Sequence, residues 1–292
     1  LGVVGESGCG KSTLARALLQ LVPLRAGTVS FLGAELGGLS PRALAPLRRG
    51  LQMVFQDPLA SLDPRMTVGD IVAEPLETFE PALDATGRRA RVAEMLRLVG
   101  LDPAQMNRYP HQFSGGQCQR VAIARALVSR PQLVVCDEAV SALDVSVRAQ
   151  IIALLLELRQ RLGLALVFIG HDLAVIRQLS QRVMVMYLGR VMEVAPAAEL
   201  FASPRHPYTR ALLAAAPVPD PRIERNQRRS GLPGELPSPL APPSGCVFRT
   251  RCAHAIPACA AAVPVLERHG EAVVACTRVD EIQSEIIVES AG

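Results

Sequence analysis

The sequence predicts an α/β protein: a doubly wound sheet with an inserted helical subdomain, followed by a small cysteine-rich C-terminal region. Three observations predict it. Short apolar runs alternate with helical patterns from Leu1 to Tyr187, the stretch from Asp57 to Gln117 is mostly helical in pattern, and four of the seven cysteines lie beyond a proline-rich segment at Pro217–Pro243. A chain of 292 residues is long enough for one full α/β domain and an appendage.

The elements follow in order. Leu1–Val4 is strand-like, and TLARALLQL beginning at Thr13 has a helical pattern. Thr28–Leu32 and Leu51–Phe55 read as strands, with Ser40 as an N-cap before Pro41 at the first helical position between them. Gly100 and Gly163 read as helix stops. Leu133–Cys136 is short and apolar, bounded by Pro131 and by Asp137-Glu138, as expected of a buried parallel strand that delivers carboxylates at its end. Leu164–Ile169 and Val183–Tyr187 complete the strand-like series.

The chemistry begins between the first strand and the first helix. Gly5, Glu6, Ser7, Gly8, Cys9, Gly10, Lys11, Ser12 and Thr13 fit the pattern G-x-x-x-x-G-K-[ST] without a gap. The glycines let several backbone N–H groups turn inward, the helix adds the positive end of its dipole, and Lys11 adds a mobile charge. This is a cradle for a polyphosphate, and Ser12 supplies a hydroxyl for Mg²⁺. A glycine-rich turn with a chance lysine is the plain alternative, and the strand before and helix after count against it.

Asp137 suits the metal, and Glu138 suits a general base that polarises water, a role worth about 10²–10⁴-fold in rate. A solvated acidic turn is the competing reading. Ser114, Gly115, Gly116 and Gln117 open the helical pattern QRVAIARAL, a second helix start without bulky side chains. An ordinary serine N-cap would look the same.

Order decides the family. Gln56 in VFQDP, Ser114–Gln117, Asp137-Glu138, Asp144 in SALD and His171 in FIGHDL follow the phosphate loop in sequence, and this order resembles the ATP-binding-cassette ATPases. The resemblance implies a P-loop NTPase (RecA-like) sheet core that binds ATP, with Mg²⁺ held through Ser12, Gln56 and Asp137. It implies that Glu138, His171 and Gln56 act on the attacking water, the Gln56 loop also touching a membrane partner. It implies too that Ser114–Gln117 and Asp144 face the ATP of an opposite subunit. Ala139, Phe113 and Gly170 depart from the common pattern without removing a ligand. The family also carries antiparallel strands and an adenine-stacking aromatic residue ahead of the loop, so a start at Leu1 leads to the expectation of a truncated chain with weakened ATP binding.

Cys246, Cys252, Cys259 and Cys276 are spaced C-x5-C-x6-C-x16-C. Clustered thiols in a reducing compartment hold metal more often than they pair as disulfides. The spacing lacks the close cysteine pair of structural zinc. A [4Fe-4S] cluster on four thiolates, zinc and unligated thiols all stay open. Cys9, Cys118 and Cys136 read as small buried thiols.

The segments YPHQFSGGQCQR, HPYTRALLAAAP and GELPSPLAPPSGCVFRTRC resemble the F-type ATP-binding subunits of bacterial oligopeptide permeases, a likeness that spans essentially the whole chain. It implies a nucleotide-binding domain over residues 1–216, with its helical subdomain at about 57–117, and the family's C-terminal region over 217–292. It also implies a heterodimer with a D-type ATPase at the cytoplasmic face of the bacterial inner membrane, beneath two permeases fed by an extracytoplasmic peptide-binding protein. Dipeptide or nickel import is the runner-up. A chromosome-structuring ATPase would place a long coiled coil between loop and signature, yet Ser114 comes only 103 positions after Lys11 and no heptads intervene. A small-molecule kinase would have no use for the Ser114–Gln117 segment. The balance of 31 Lys+Arg against 27 Asp+Glu is too mild to argue for a nucleic-acid partner. With no run approaching 18 apolar residues and no leader pattern, the expectation is a soluble intracellular chain.

Overall fold

A computed structural model describes residues 1–215 and 234–283. Most of the proline-rich segment, residues 217–233, and the expected boundary at residue 216 lie outside the described residues. In chain order the elements are β1 Gly2–Val4, α1 Lys11–Leu18, β2 Ser30–Phe31, β3 Ala34–Glu35, α2 Pro41–Arg48, β4 Leu51–Val54, α3 Val68–Phe79, α4 Ala85–Leu98 and α5 Gly115–Leu127. Then come β5 Leu133–Asp137, α6 Val145–Leu162, β6 Ala165–Ile169, α7 Leu173–Leu179, β7 Arg182–Tyr187, β8 Arg190–Pro196, α8 Ala197–Ala202, α9 Pro207–Ala214, β9 Glu267–His269 and β10 Ala272–Val274. The described residues form two compact units, residues 12–169 and residues 1–11 with those described from 170 onward.

In the unit of residues 12–169, β4, β5 and β6 are parallel neighbours, with Leu51 opposite Leu133 and Asp137 opposite Ile169. β5 reads LVVCD because parallel strands are covered on both faces, so alternation gives way to a continuous apolar run. Its Val134, Val135 and Cys136 are fully buried. Helix α3 packs against α4 and α5, and on these helices Ile71, Val72, Leu76, Leu96, Val121 and Ile123 are buried, each worth about 1.5–3 kcal/mol of burial. Ser40 caps α2 by accepting from the Ala43 N–H at 3.3 Å, with Pro41 in its first turn. Gly163 ends α6 at φ 65°, in the left-handed region glycine enters at least cost. The expected strand Thr28–Leu32 shortens to Ser30–Phe31, which pairs only with β3 across a turn at Leu32 and Gly33. Both turn residues have positive φ, so the chain reverses before a longer ladder can form.

In the other unit β1 pairs in parallel with β7, Val3 facing Met184. β7 and β8 form an antiparallel hairpin turned by Leu188 at φ 44° and Gly189 at φ 75°. β8 then pairs with β10, and β10 with β9. The C-terminal region thus extends the same sheet. Tyr187, Tyr208 and Phe248 lock it in place, with ring centroids 4.8 Å, 5.3 Å and 5.2 Å apart, and all three are 2% exposed or less. Buried Glu193 accepts from the Arg205 and His206 N–H groups at 3.0 and 2.9 Å, fixing the entry to α9. No helix among the described residues is long and apolar enough to cross a membrane.

Candidate nucleotide site

The phosphate loop leaves β1 at Gly5, and Lys11 opens α1. Gly5 is required by contact: a side-chain carbon there would strike the Met186 carbonyl and come within 2.7 Å of Cys9 Sγ. The loop is pinned by the β7–β8 turn, where the Gly189 N–H donates to the Cys9 carbonyl at 2.8 Å. Lys11 is 6% exposed, and its Nζ donates to the Gly5 and Glu6 carbonyls at 2.9 and 3.0 Å. The lysine is therefore gathered inside the loop, its Nζ held against the loop's own carbonyls. Ser7, Gly8 and Thr13 are exposed, and Gly10 is half-buried. Burial pushes the Cys9 thiol pKa up, against the opposing pull of Lys11. Cys118 is buried, and burial pushes Cys136 up to about 12. All three thiols are packing groups, as expected.

In the unit of residues 12–169, Ser12 Oγ donates to Asp137 Oδ1 at 3.0 Å, bringing the hydroxyl and carboxylate expected of a magnesium site together. Asp137 is 5% exposed at the end of β5. The next residue, Glu138, sits at φ 48°, outside the region bulky residues prefer. Its N–H donates to the Ile169 carbonyl at 2.9 Å, and its own carbonyl accepts from Ser141 Oγ at 2.9 Å. That bent backbone turns the half-buried Glu138 out of the strand direction, and Gln56 Nε2 donates to its Oε2 at 2.9 Å. The two side chains, 82 positions apart, thus meet.

The second glycine-rich helix start has a different internal arrangement. Ser114 Oγ accepts from the Gln117 N–H at 3.3 Å, and Gln117 Oε1 accepts from the Ser114 N–H at 2.9 Å, a reciprocal capping box. Ser114 and Gly115 are exposed. Gly116 has to lack a side chain because its Cβ would meet Val147 Cγ1. Asp144 stands at the start of α6 without capping it, exposed, beside Val145 at 81% exposure. His171 is exposed in the other unit, next to Asp172, whose Oδ1 accepts from the Ala174 and Val175 N–H groups to cap α7.

A groove of about 660 Å³ also lies in the unit of residues 12–169, lined by Arg48, Phe55, Gln56, Asp57, Pro75 and Phe79 among others. Phe55 is 38% exposed in it.

The four C-terminal cysteines are half-buried and line one cavity of about 20 Å³ with His206 and Phe248. Burial raises the pKa of Cys246, Cys252 and Cys276, with Cys252 pushed up to about 11, and neighbouring thiols raise it further. Burial pushes His206 down to about 3, so it is neutral. Among the described residues, however, no three His, Cys, Asp or Glu side chains are arranged to hold a metal ion.

Two residues escaped sequence reasoning. Tyr208 accepts the Glu6 N–H on its hydroxyl at 2.9 Å, and Arg251 pairs with the Glu6 carboxylate. Their segments, HPYTRALL and GCVFRTRC, stand out as family signatures, but nothing local in them points to a loop more than 200 positions earlier.

A β1 loop that gathers its own lysine, a Ser12–Asp137 pair and a capped Ser114 helix together define an ATP-binding-cassette ATPase. The family model for the ABC transporter matches residues 1–141, and that for the oligopeptide/dipeptide transporter C-terminal region matches residues 192–259. The chain is 56% identical over 97% of its length to the oligopeptide transport ATP-binding protein OppF of Escherichia coli, spanning 84% of that protein. Its identity to the OppF of Haemophilus influenzae is 52%, over 96% of this chain and 84% of that protein. The chain belongs to this OppF family of ABC transporter ATP-binding subunits. Among solved structures it is similar to the ATP-binding cassette MJ0796 in a dimeric post-hydrolysis state bound to ADP and Pi, at TM-score 0.61 and 32% identity over 67% of this chain and 84% of that one. It is also similar to cbiO1 of Clostridium perfringens, part of the transporter complex cbiONQ, at TM-score 0.63 and 29% identity over 69% of this chain and 78% of that one.

Proposed function

We propose that the chain binds Mg·ATP on Gly5–Thr13 and hydrolyses it only when a second ATPase subunit presents its own signature helix to the γ-phosphate. As a member of the OppF family the chain is the ATPase subunit of an oligopeptide ABC importer. The observation that carries the mechanism is the Gln56–Glu138 contact at 2.9 Å, in the unit where Ser12 and Asp137 also meet.

In this reading the loop N–H groups and Lys11 take the β- and γ-phosphates, with Ser12, Asp137 and Gln56 serving Mg²⁺. Magnesium held there would supply positive charge against the phosphate oxygens. Glu138 accepts a hydrogen bond from the attacking water and polarises it, while Gln56 and His171 hold that water in line. Ser114–Gln117 and Asp144 serve the ATP of the opposite subunit. That subunit is a homologous D-type ATPase. The groove beside Gln56 receives a cytoplasmic segment of one of two permeases at the inner membrane, so that closure over ATP moves the permeases. An extracytoplasmic peptide-binding protein delivers the cargo.

We also assign a [4Fe-4S] cluster, with zinc as the alternative, to Cys246, Cys252, Cys259 and Cys276. The support is that all four line one cavity. A single zinc ion would need sulfurs about 3.8 Å apart, given bonds of about 2.3 Å, and no such group is in place. Iron and labile sulfide in anaerobically purified protein are the expected result, and finding neither overturns the cluster.

The mechanism is tested by Glu138→Gln in the assembled transporter. ATP binding persists while hydrolysis and peptide uptake fall by about 10²–10⁴-fold. Unchanged hydrolysis removes Glu138 from the role of base.

A further inference from the structure

Glu6 carries a carboxylate into a loop whose task is to hold a polyphosphate, and at short range two such anions repel. The structure contains the counterweight. Arg251, in the segment between Cys246 and Cys252, is 4% exposed and grips Glu6 with both ends of its fork. Nη1 donates to Oε2 at 2.6 Å and Nη2 to Oε1 at 3.0 Å. Nη1 also donates to the Tyr187 hydroxyl at 3.4 Å, and the guanidinium lies 5.8 Å from that ring's centroid.

Arg251 is itself held in place. Its N–H donates to the Phe248 carbonyl at 3.0 Å, and Phe248 is wedged against Tyr187 and Tyr208. Tyr208 in turn takes the Glu6 N–H. Two residues of the C-terminal half therefore fix the backbone and the side chain of the same phosphate-loop residue.

We propose that Arg251 is a positioning residue for ATP binding: the cysteine-bearing loop of the C-terminal region inserts it into the phosphate loop of its own chain, cancels the Glu6 charge and holds the cradle in shape. The proposal rests on the reading that Gly5–Thr13 holds ATP. A planar fork on a carboxylate is a task lysine performs poorly. Removing one member of a buried pair leaves the other uncompensated, whereas removing both removes the conflict. It follows that a rearrangement of the Cys246–Cys252 segment reaches the ATP site through this pair.

The test is the Kd for ATP, measured by titration beside the melting temperature, for the unaltered chain, Arg251→Gln, Arg251→Lys, Glu6→Gln, the Glu6→Gln/Arg251→Gln double variant and Lys11→Ala. Arg251→Gln raises Kd roughly tenfold, Arg251→Lys recovers part of the loss, and Glu6→Gln supplies the single-variant leg against which the double variant is read. The double variant returns to within about threefold of the unaltered chain, because no lone carboxylate faces the phosphates. A normal Kd for Arg251→Gln overturns the proposal, as does a double variant that binds as poorly as Arg251→Gln alone, which is the pattern of lost packing. If Lys11→Ala weakens ATP binding while Arg251→Gln does not, only the Arg251 proposal falls. If Lys11→Ala binds ATP normally, the phosphate-loop reading fails and takes the proposal with it.

Discussion

The chain builds two glycine-rich helix starts, and they finish their hydrogen bonding in opposite ways. At the phosphate loop the lysine turns inward onto the Gly5 and Glu6 carbonyls, and the loop is strapped by Gly189, Tyr208 and Arg251. At the signature Ser114 and Gln117 strap each other through the capping box, and the surface around Ser114 and Gly115 is open. One end carries its own cation and so can hold an anion unaided. The other offers only backbone dipole and a hydroxyl, enough to complete a site but too little to found one. That asymmetry is the physical reason for reading the signature as a lid for another subunit's ATP.

The comparison yields graded expectations. The largest effect is at the lysine: Lys11→Ala raises the Kd for ATP roughly 10–100-fold, the value of a charge-assisted hydrogen-bonding group, and equilibrium titration reads it directly. Next comes Ser114→Ala, which leaves that Kd unchanged in the isolated chain while lowering steady-state turnover of the ATPase pair about tenfold. The helix also loses about 1 kcal/mol with its cap, visible in the melting temperature. Weaker ATP binding by the isolated Ser114 variant would mean the two helix starts do not divide their labour as described. Smallest is Gln117→Ala, which removes only the return half of the box and costs a few tenths of a kcal/mol to about 1 kcal/mol of stability, with turnover falling about threefold or less.

The parts of the fold legible in the sequence were those with a local signature. β5 announced itself because a strand covered on both faces needs LVVCD and then a carboxylate, and Gly163 because a left-handed helix stop favours glycine. The phosphate loop and the Ser114 cap are likewise short-range devices. β8 and β10 were not anticipated, since RVMEVAP and AVV owe their pairing to neighbours in the sheet rather than to a pattern of their own. Thr28–Leu32 misled in the other direction, its apolar character outweighed by a turn at Leu32-Gly33. Arg251 was invisible for a related reason. An arginine between two cysteines looks like any charged loop residue until the fold carries it across 245 positions to Glu6. The Gln56–Glu138 contact stands between these cases, because each residue was legible and only their meeting needed the structure.

The central claim is that hydrolysis belongs to a pair of subunits. It is tested by measuring the rate per subunit against protein concentration for the chain mixed with the D-type ATPase proposed as its partner, with molecular mass followed by light scattering. The account predicts a rate that climbs with concentration as an ATP-dependent dimer forms and then levels off. A full rate that is flat with concentration, from particles that keep the mass of a monomer, would contradict it.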